Sequence, residues 1–272
     1  MSSSEHQTEK PKLHLEINPG RLAEIVGAAV FESTEIVNLH LNSLSDENLN
    51  RPIAGGGVVY QFKGPDLSLG QRRAMHENWI LSRAIQELLR AVRHALEEAH
   101  VITALLTKPH QIKSNDTLAN FLKPFQSKAA GLRFPDLLAA VNDLLNPKLE
   151  FADSYRSLQA ARNCLEHRSG IVGEVDTKGS PEFTLSVPRV KVFYMRGGGE
   201  IELAAGERVE PGDDRAEVEI LMRIEIRKRS VPLGQRLTFT SAEFNEIAFA
   251  CNHFGQVLAA GLPKPKIEAS NV

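Results

Sequence analysis

The sequence predicts an α+β protein that is mainly α: a helical bundle with a small antiparallel β-sheet inserted before its last helix. Three observations predict it. Apolar residues recur at helical spacing through most of the first 170 positions, alternate with polar residues from 171 to 240, and return to helical spacing at 241–262. A chain of 272 residues is long enough to bury about 75% of its unfolded surface, so a real core is expected. The expected organisation is a tail over 1–13, a helix and loop over 14–66, a helical core over 67–170, the β-rich insertion over 171–240, a terminal helix completing the core over 241–262, and a tail over 263–272.

The first helix is expected from Asn18 through "RLAEIVGAAVFESTEIVNLHLNSL", with Pro19 at the first helical position, where a missing N–H costs nothing. Gly and Pro crowd both sides of "VVYQF" (58–62), which reads as one short strand in a loop. The "GGG" before it is a connection and not a phosphate loop, because no lysine followed by Ser or Thr accompanies it. From about 70 to 107 runs the longest helical signal, with Met75, Trp79, Ile85, Leu88, Val92, Leu96 and Ile102 on a broad apolar face, and Trp79 reads as core. Helices near 115–128 and 134–146 follow, the second with Pro135 and Asp136 at its start. A further helix spans roughly 150–168 and is closed by Gly170. The alternating stretches "FTLSVPRVKVFYM", "IELA", "AEVEILMRIEIRKRS" and "QRLTFT", with a turn at "RGGGE", predict four to six strands. In the last helix Ser241 is the expected cap, and Glu243 favours the positive end of the helix dipole.

Composition excludes several classes. A net charge of -2 provides no global basic field, so any attraction for nucleic acid must come from a local patch. No apolar run approaches the ~20 residues a membrane span needs, so no membrane partner is expected. The two cysteines, Cys164 and Cys251, suit neither a disulfide framework nor a metal knuckle and point to a reducing cytoplasm. The remaining histidines show no metal-ligand pairing with one another or with the cysteines, so neither a metal nor another cofactor is expected.

One stretch carries chemistry. On a helical wheel Phe151, Tyr155, Leu158 and Leu165 form a stripe, and Arg162 falls inside it. A charge on the face that avoids water must reach an acid, bend to solvent, or face a site or partner subunit. Glu166, four residues on, allows an ordinary intrahelical ion pair, and His167 and Arg168 can simply favour the negative helix end. Arg162 and His167 diverge by about 140° on a regular helix, whereas Asn163 and His167 are neighbours. The arginine and the histidine can converge only through a break after Leu165 or through a second copy of the helix.

The stretch "RNCLEH" (162–167) resembles the motif of the HEPN superfamily, an arginine and a polar residue followed, after three variable positions, by a histidine late in a helix of an α-helical domain. The likeness covers about 70–170 and 241–262; the first 66 residues and the β insertion lie outside the common pattern. What the resemblance implies is a HEPN-like bundle and a metal-independent endoribonuclease acting on RNA as a homodimer, a toxin or antiviral defence component that an antitoxin or regulatory protein would hold in check. Other members of the family are non-catalytic and serve as nucleotide- or protein-binding scaffolds. The catalytic roles it implies are His167 as acid/base, Arg162 as phosphate clamp and Asn163 as orienting partner, with Arg168 adding charge at the mouth.

Cleavage by the RNA's own 2′-hydroxyl needs one proton accepted, one donated, and fixed positive charge at the phosphorane. Histidine and arginine provide these, and a two-fold partner supplies the second histidine. In "RIEIRKRS" the alternation places Ile224 and Ile226 on one face and Arg223, Glu225, Arg227 and Arg229 on the other. That charged face is either an RNA-backbone contact through Arg223, Arg227 and Arg229, or the solvated face of a sheet.

Overall fold

The computed structural model describes residues 17–50, 64–107, 117–203, 207–209 and 218–264. Its helices are α1 (Gly20–Ser43), α2 (Asp46–Asn50), α3 (Leu69–Thr107), α4 (Leu118–Gly131), α5 (Phe134–Asn142), α6 (Ala152–His167), α7 (Glu174–Thr177) and, after the sheet, α8 (Ser241–Ala260). The sheet is antiparallel, with order β2-β1-β3, built from β1 (Glu182–Arg196), β2 (Gly199–Glu202) and β3 (Ile220–Pro232). The protein is thus mainly α, with a small antiparallel sheet before the last helix. The stretch "VVYQF" lies outside the described residues.

The bundle forms around α3, whose 39 residues bury a stripe that includes Ile85, Leu88, Leu89, Val92 and Leu96. Against it pack Leu22, Val26 and Val37 of α1, Leu137 and Leu138 of α5, Leu158 of α6, and Phe244, Ile247 and Phe254 of α8, all in one continuous core. Tyr155 places its ring edge-on to Phe254 at 4.6 Å and donates its hydroxyl to the Ala250 carbonyl at 3.2 Å, which satisfies its polar end inside the core. Helices α1 and α8 meet at Gly255, where a Cβ would stand 3.1 Å from Val26 Cβ and 3.3 Å from Ala23 Cα.

Several expectations shift. Asn18 accepts from the Gly20 amide at 3.0 Å, and Pro19, with helical angles of φ -60° and ψ -31°, stands immediately before Gly20, where α1 begins. The cap of α8 is Thr240 and not Ser241: its hydroxyl accepts from the Glu243 amide at 3.2 Å, and Glu243 accepts back from the Thr240 amide at 2.9 Å. Trp79 is not core. It is 60% exposed although α2 lies against the same end of α3, where Arg72 donates to the Leu49 carbonyl at 2.7 Å; the buried stripe starts only at Ile80.

Among the described residues the insertion holds three strands, fewer than expected. The stretch "FTLSVPRVKVFYM" lies within one strand of 15 residues. Pro188 does not interrupt it, since β2 pairs only with Phe193–Arg196 and leaves β1 with a neighbour on one side at the proline. The stretch "QRLTFT" makes a single bridge, Arg236 to Ile171.

The close approach at Gly255 yields a test. Gly255→Val should lower the stability of the fold by about 1–3 kcal/mol through overpacking against Val26 and Ala23, read as a shift of the urea midpoint at unchanged m-value.

Candidate functional site at the end of helix six

Helix α6 runs without a break to His167. It ends because Ser169 and Gly170 take positive φ angles of 53° and 79°, and the Gly170 amide turns back to the Cys164 carbonyl at 3.0 Å. The same glycine accepts from the Leu237 amide at 2.7 Å, and Val172 bonds to the Gln235 carbonyl at 2.9 Å. The end of α6 is therefore tied to the segment that leads into α8.

Arg162 sits beside Tyr155, Leu158 and Leu165, which are buried as the wheel requires. Its side chain is 16% exposed, and its Nη2 lies 2.6 Å from Glu166 Oε2. This is a close ion pair whose angles are not those of a hydrogen bond; Arg162 Nε and Glu166 Oε2 are buried without a hydrogen-bond partner. Glu166 Oε1 accepts from Arg90 Nη2 of α3 at 3.2 Å, and Arg90 also holds Glu87 at 2.5 Å. Burial pushes the Glu166 carboxyl up, but the hydrogen bond from Arg90 and the charges of Arg162, Arg90 and His167 outweigh it and hold the group below the usual glutamate range. Arg90 could not be found from the sequence, because its link to Glu166 spans 76 positions and two helices.

Asn163 accepts from Gln159 Nε2 at 3.2 Å, so it is held by the preceding turn. His167 is exposed to solvent. Within one chain the unbroken helix leaves His167 and Arg162 on diverging faces. Arg168 is engaged elsewhere. Its Nε donates to Asp176 Oδ2 at 2.8 Å, a second donor pairs with Asp176 Oδ1, and the Asp176 side chain is 2% exposed. Asp176 also accepts from the Gly173 amide at 2.9 Å, so the pair fixes the turn after α6. Cys164 is buried, and burial, with the Asp176 charge, pushes its thiol up to about 11; Cys251 is pushed by burial to about 12. Neither is a reactive thiolate at neutral pH.

The arginines of β3 are not bare: each pairs with an acid, although the Arg223 and Arg227 side chains keep 43% and 41% exposure. Register places them with Phe183, Leu185, Val187 and Arg189 of β1, on the side of the sheet that packs on α6 and α8. Arg227 Nη1 meets Glu246 Oε2 at 3.1 Å, and Arg229 Nη1 meets Glu243 Oε1 at 2.6 Å. Arg223 bridges Glu200 at 2.5 Å and Glu225 at 3.1 Å. At the centre Arg189, 8% exposed, reaches Glu202 at 2.5 Å, Glu225 at 2.7 Å and Glu246 at 3.6 Å. The outward face carries Ile220, Met222, Ile224 and Ile226 instead, all partly exposed. The alternation is as read, but the charged side faces inward, because α8 offers Glu243 and Glu246 to receive it.

A cavity of about 730 Å³ adjoins this site. It lies between α3, the end of α6 and the segment at 236–238, with Glu166 in its wall. Among the described residues no three His, Cys, Asp or Glu side chains gather so as to hold a metal ion, and no helix is long and apolar enough to cross a membrane. No family model, curated protein or solved structure matches the chain.

Two measurements check the ion pairs. Arg189→Ala should cost about 1–2 kcal/mol, because it removes charge-assisted hydrogen bonds to carboxylates that are only partly buried, two of which keep Arg223 or Arg227 as a partner. The hydrogen bond from Arg189 holds Glu202 below the usual range, and at Glu225 hydrogen bonds from Arg189 and Arg223 overcome burial to do the same. A carboxyl whose folded pKa is depressed stabilises the fold above its unfolded value and loses that contribution as pH falls through the folded one. The gap between wild type and variant in urea unfolding should therefore be full above about pH 5 and narrow below about pH 4. Separately, Asp176→Asn should lower stability by about 2–4 kcal/mol, since it leaves Arg168 half-buried without its counter-ion.

Proposed function

We propose that the chain is a metal-independent endoribonuclease of the HEPN type, acting as a homodimer in the cytoplasm as a toxin or antiviral defence component under the control of an antitoxin or regulator. The observation that carries the reading is the end of α6, where an exposed His167 closes the helix just beyond Arg162, whose side chain is 16% exposed and paired with Glu166. In this reading His167 takes the proton of the attacking 2′-hydroxyl, and the partner's copy of the same histidine protonates the departing 5′-oxygen. Arg162 holds the phosphate as charge builds on it. Asn163, fixed by Gln159, is a positioning residue.

Because α6 is unbroken, cooperation between arginine and histidine requires a second chain, which is why the reading includes the dimer. Glu166 enters as a gate: a phosphodiester entering the site competes with it for Arg162, and the carboxylate returns when product leaves.

A second reading, a non-catalytic nucleotide- or protein-binding scaffold, is favoured by the pairing of Arg162 with Glu166, which gives the guanidinium charge a counter-ion without any ligand.

Cleavage of a fluorescent single-stranded RNA by purified protein in EDTA separates the two. The nuclease reading expects activity that survives EDTA and falls by about 100-fold or more in His167→Ala and in Arg162→Ala. Wild-type cleavage left unchanged by both substitutions removes this site from the mechanism. Glu166→Gln, which relaxes the competition for Arg162, should tighten RNA binding by a few-fold, about 1 kcal/mol, in a filter-binding titration.

A further inference from the structure

The cavity beside Glu166 has a chemical character of its own. Of the residues in its wall, α3 contributes Asn78, Trp79, Ser82 and Arg83, and the strand-like segment before α8 contributes Arg236. Trp79 stands 60% exposed at its edge, a large planar ring left uncovered. Asn78 Oδ1 and Ser82 Oγ are buried without a hydrogen-bond partner. Such orphaned acceptors call for an explanation, and a ligand that donates N–H groups, met after a small rotation of either side chain, supplies one.

The two guanidiniums differ from those of the sheet. Arg83 donates to Gln86 Oε1 at 3.3 Å and Arg236 to the Ser169 carbonyl at 2.6 Å, and among the described residues neither has a carboxylate partner. Every other arginine named at the α6 end or on the sheet is paired with an acid. Exposed cations without acids, flanking an aromatic ring and buried acceptors, match a planar N–H-bearing heterocycle linked to phosphate. The volume falls within the range of about 300–1,000 Å³ usual for a ligand site.

We infer that this cavity receives one unpaired base of an RNA strand, stacked on Trp79 and hydrogen-bonded by Asn78 and Ser82, with the adjoining phosphates on Arg83 and Arg236. The inference rests on the ribonuclease reading for the identity of the strand, and it places the base beside the scissile phosphate because Glu166 is in the wall of the cavity and in the pair with Arg162. The cavity then sets which base is accepted next to the cut.

Trp79 is the sole tryptophan and lines the cavity, so its fluorescence reports on binding there, and substitution of Arg236 separates this cavity from the pocket between Trp79 and α1. The probes are nucleoside 5′-monophosphates and short 2′-O-methyl RNA oligomers, which keep base and phosphate but cannot be cut through their own 2′-oxygen. Oligomers should quench Trp79 saturably and at least about tenfold more tightly than the monophosphates, and the double variant Arg83→Gln, Arg236→Gln should weaken oligomer binding by about tenfold or more. Trp79→Ala should weaken binding of a labelled oligomer, read by anisotropy, to a similar extent, while far-UV circular dichroism stays that of the wild type, since Trp79 lies outside the core.

Equal affinity for monophosphates and oligomers would overturn the strand in favour of a free nucleotide. No quenching by either probe, or a double variant that binds like wild type, overturns the cavity assignment. The two readings fail separately. Cleavage in EDTA that is indifferent to Trp79, Arg83 and Arg236 sinks the base pocket and spares the nuclease, whereas saturable quenching without any cleavage spares the pocket and sinks the nuclease.

Discussion

A guanidinium withdrawn from water must meet an acid, and this requirement organises the protein outside its apolar core. Removing a charge from water costs several kcal/mol, which only a close counter-ion with good geometry offsets. The structure meets it repeatedly. Arg162 turns to Glu166, Arg168 to Asp176, Arg227 and Arg229 to the acids of α8, and Arg189 to three carboxylates at once. The first pair lies within α6; the others join elements, α6 to the turn after it, β1 to β2 and β3, and the sheet to the last helix. Hydrophobic burial decides that α3 is central; the ion pairs decide how the inserted sheet is oriented against the bundle.

That orientation explains what was legible in the sequence and what was not. The helices were legible because their apolar period is long and repeated, as in α3, where Ile85, Leu88, Val92 and Leu96 fall on one buried stripe. Boundaries shifted by a residue or so where two polar groups compete for a cap, as at Thr240 and Ser241. Alternation in β3 identified two faces correctly but not which of them is inside, because charge ordinarily goes outward and only the distant Glu243 and Glu246 reverse it. Trp79 escapes the sequence for a related reason: periodicity places it on the apolar side of α3, yet which side chains near the start of α3 are covered is a tertiary property.

The candidate site was half legible. An arginine on an apolar stripe is visible on a helical wheel, and the structure does place Arg162 among Tyr155, Leu158 and Leu165 with little exposure. The acid four residues on was visible too. Arg90 was not, since nothing local connects it to Glu166, and its hydrogen bond helps to hold the Glu166 carboxyl below the usual glutamate range. Nor could the sequence reveal the cavity, which is assembled from α3, the end of α6 and the approach to α8.

Charge placement also separates surfaces that the sequence makes look alike. By count, β3 is the most basic stretch and so the natural candidate for a phosphate contact, but its arginines are neutralised by neighbouring acids and serve the fold. A phosphate arriving at Arg223 or Arg227 must displace a carboxylate already in place, and it then faces that carboxylate's repulsion. At Arg83 and Arg236 it displaces only a side-chain amide and a backbone carbonyl, both neutral. The cost of exchange is therefore lower at the cavity than on the strand. For an anionic ligand the decisive quantity is how many cations lack an acid, and by that measure the favoured surface is the wall between α3 and the end of α6.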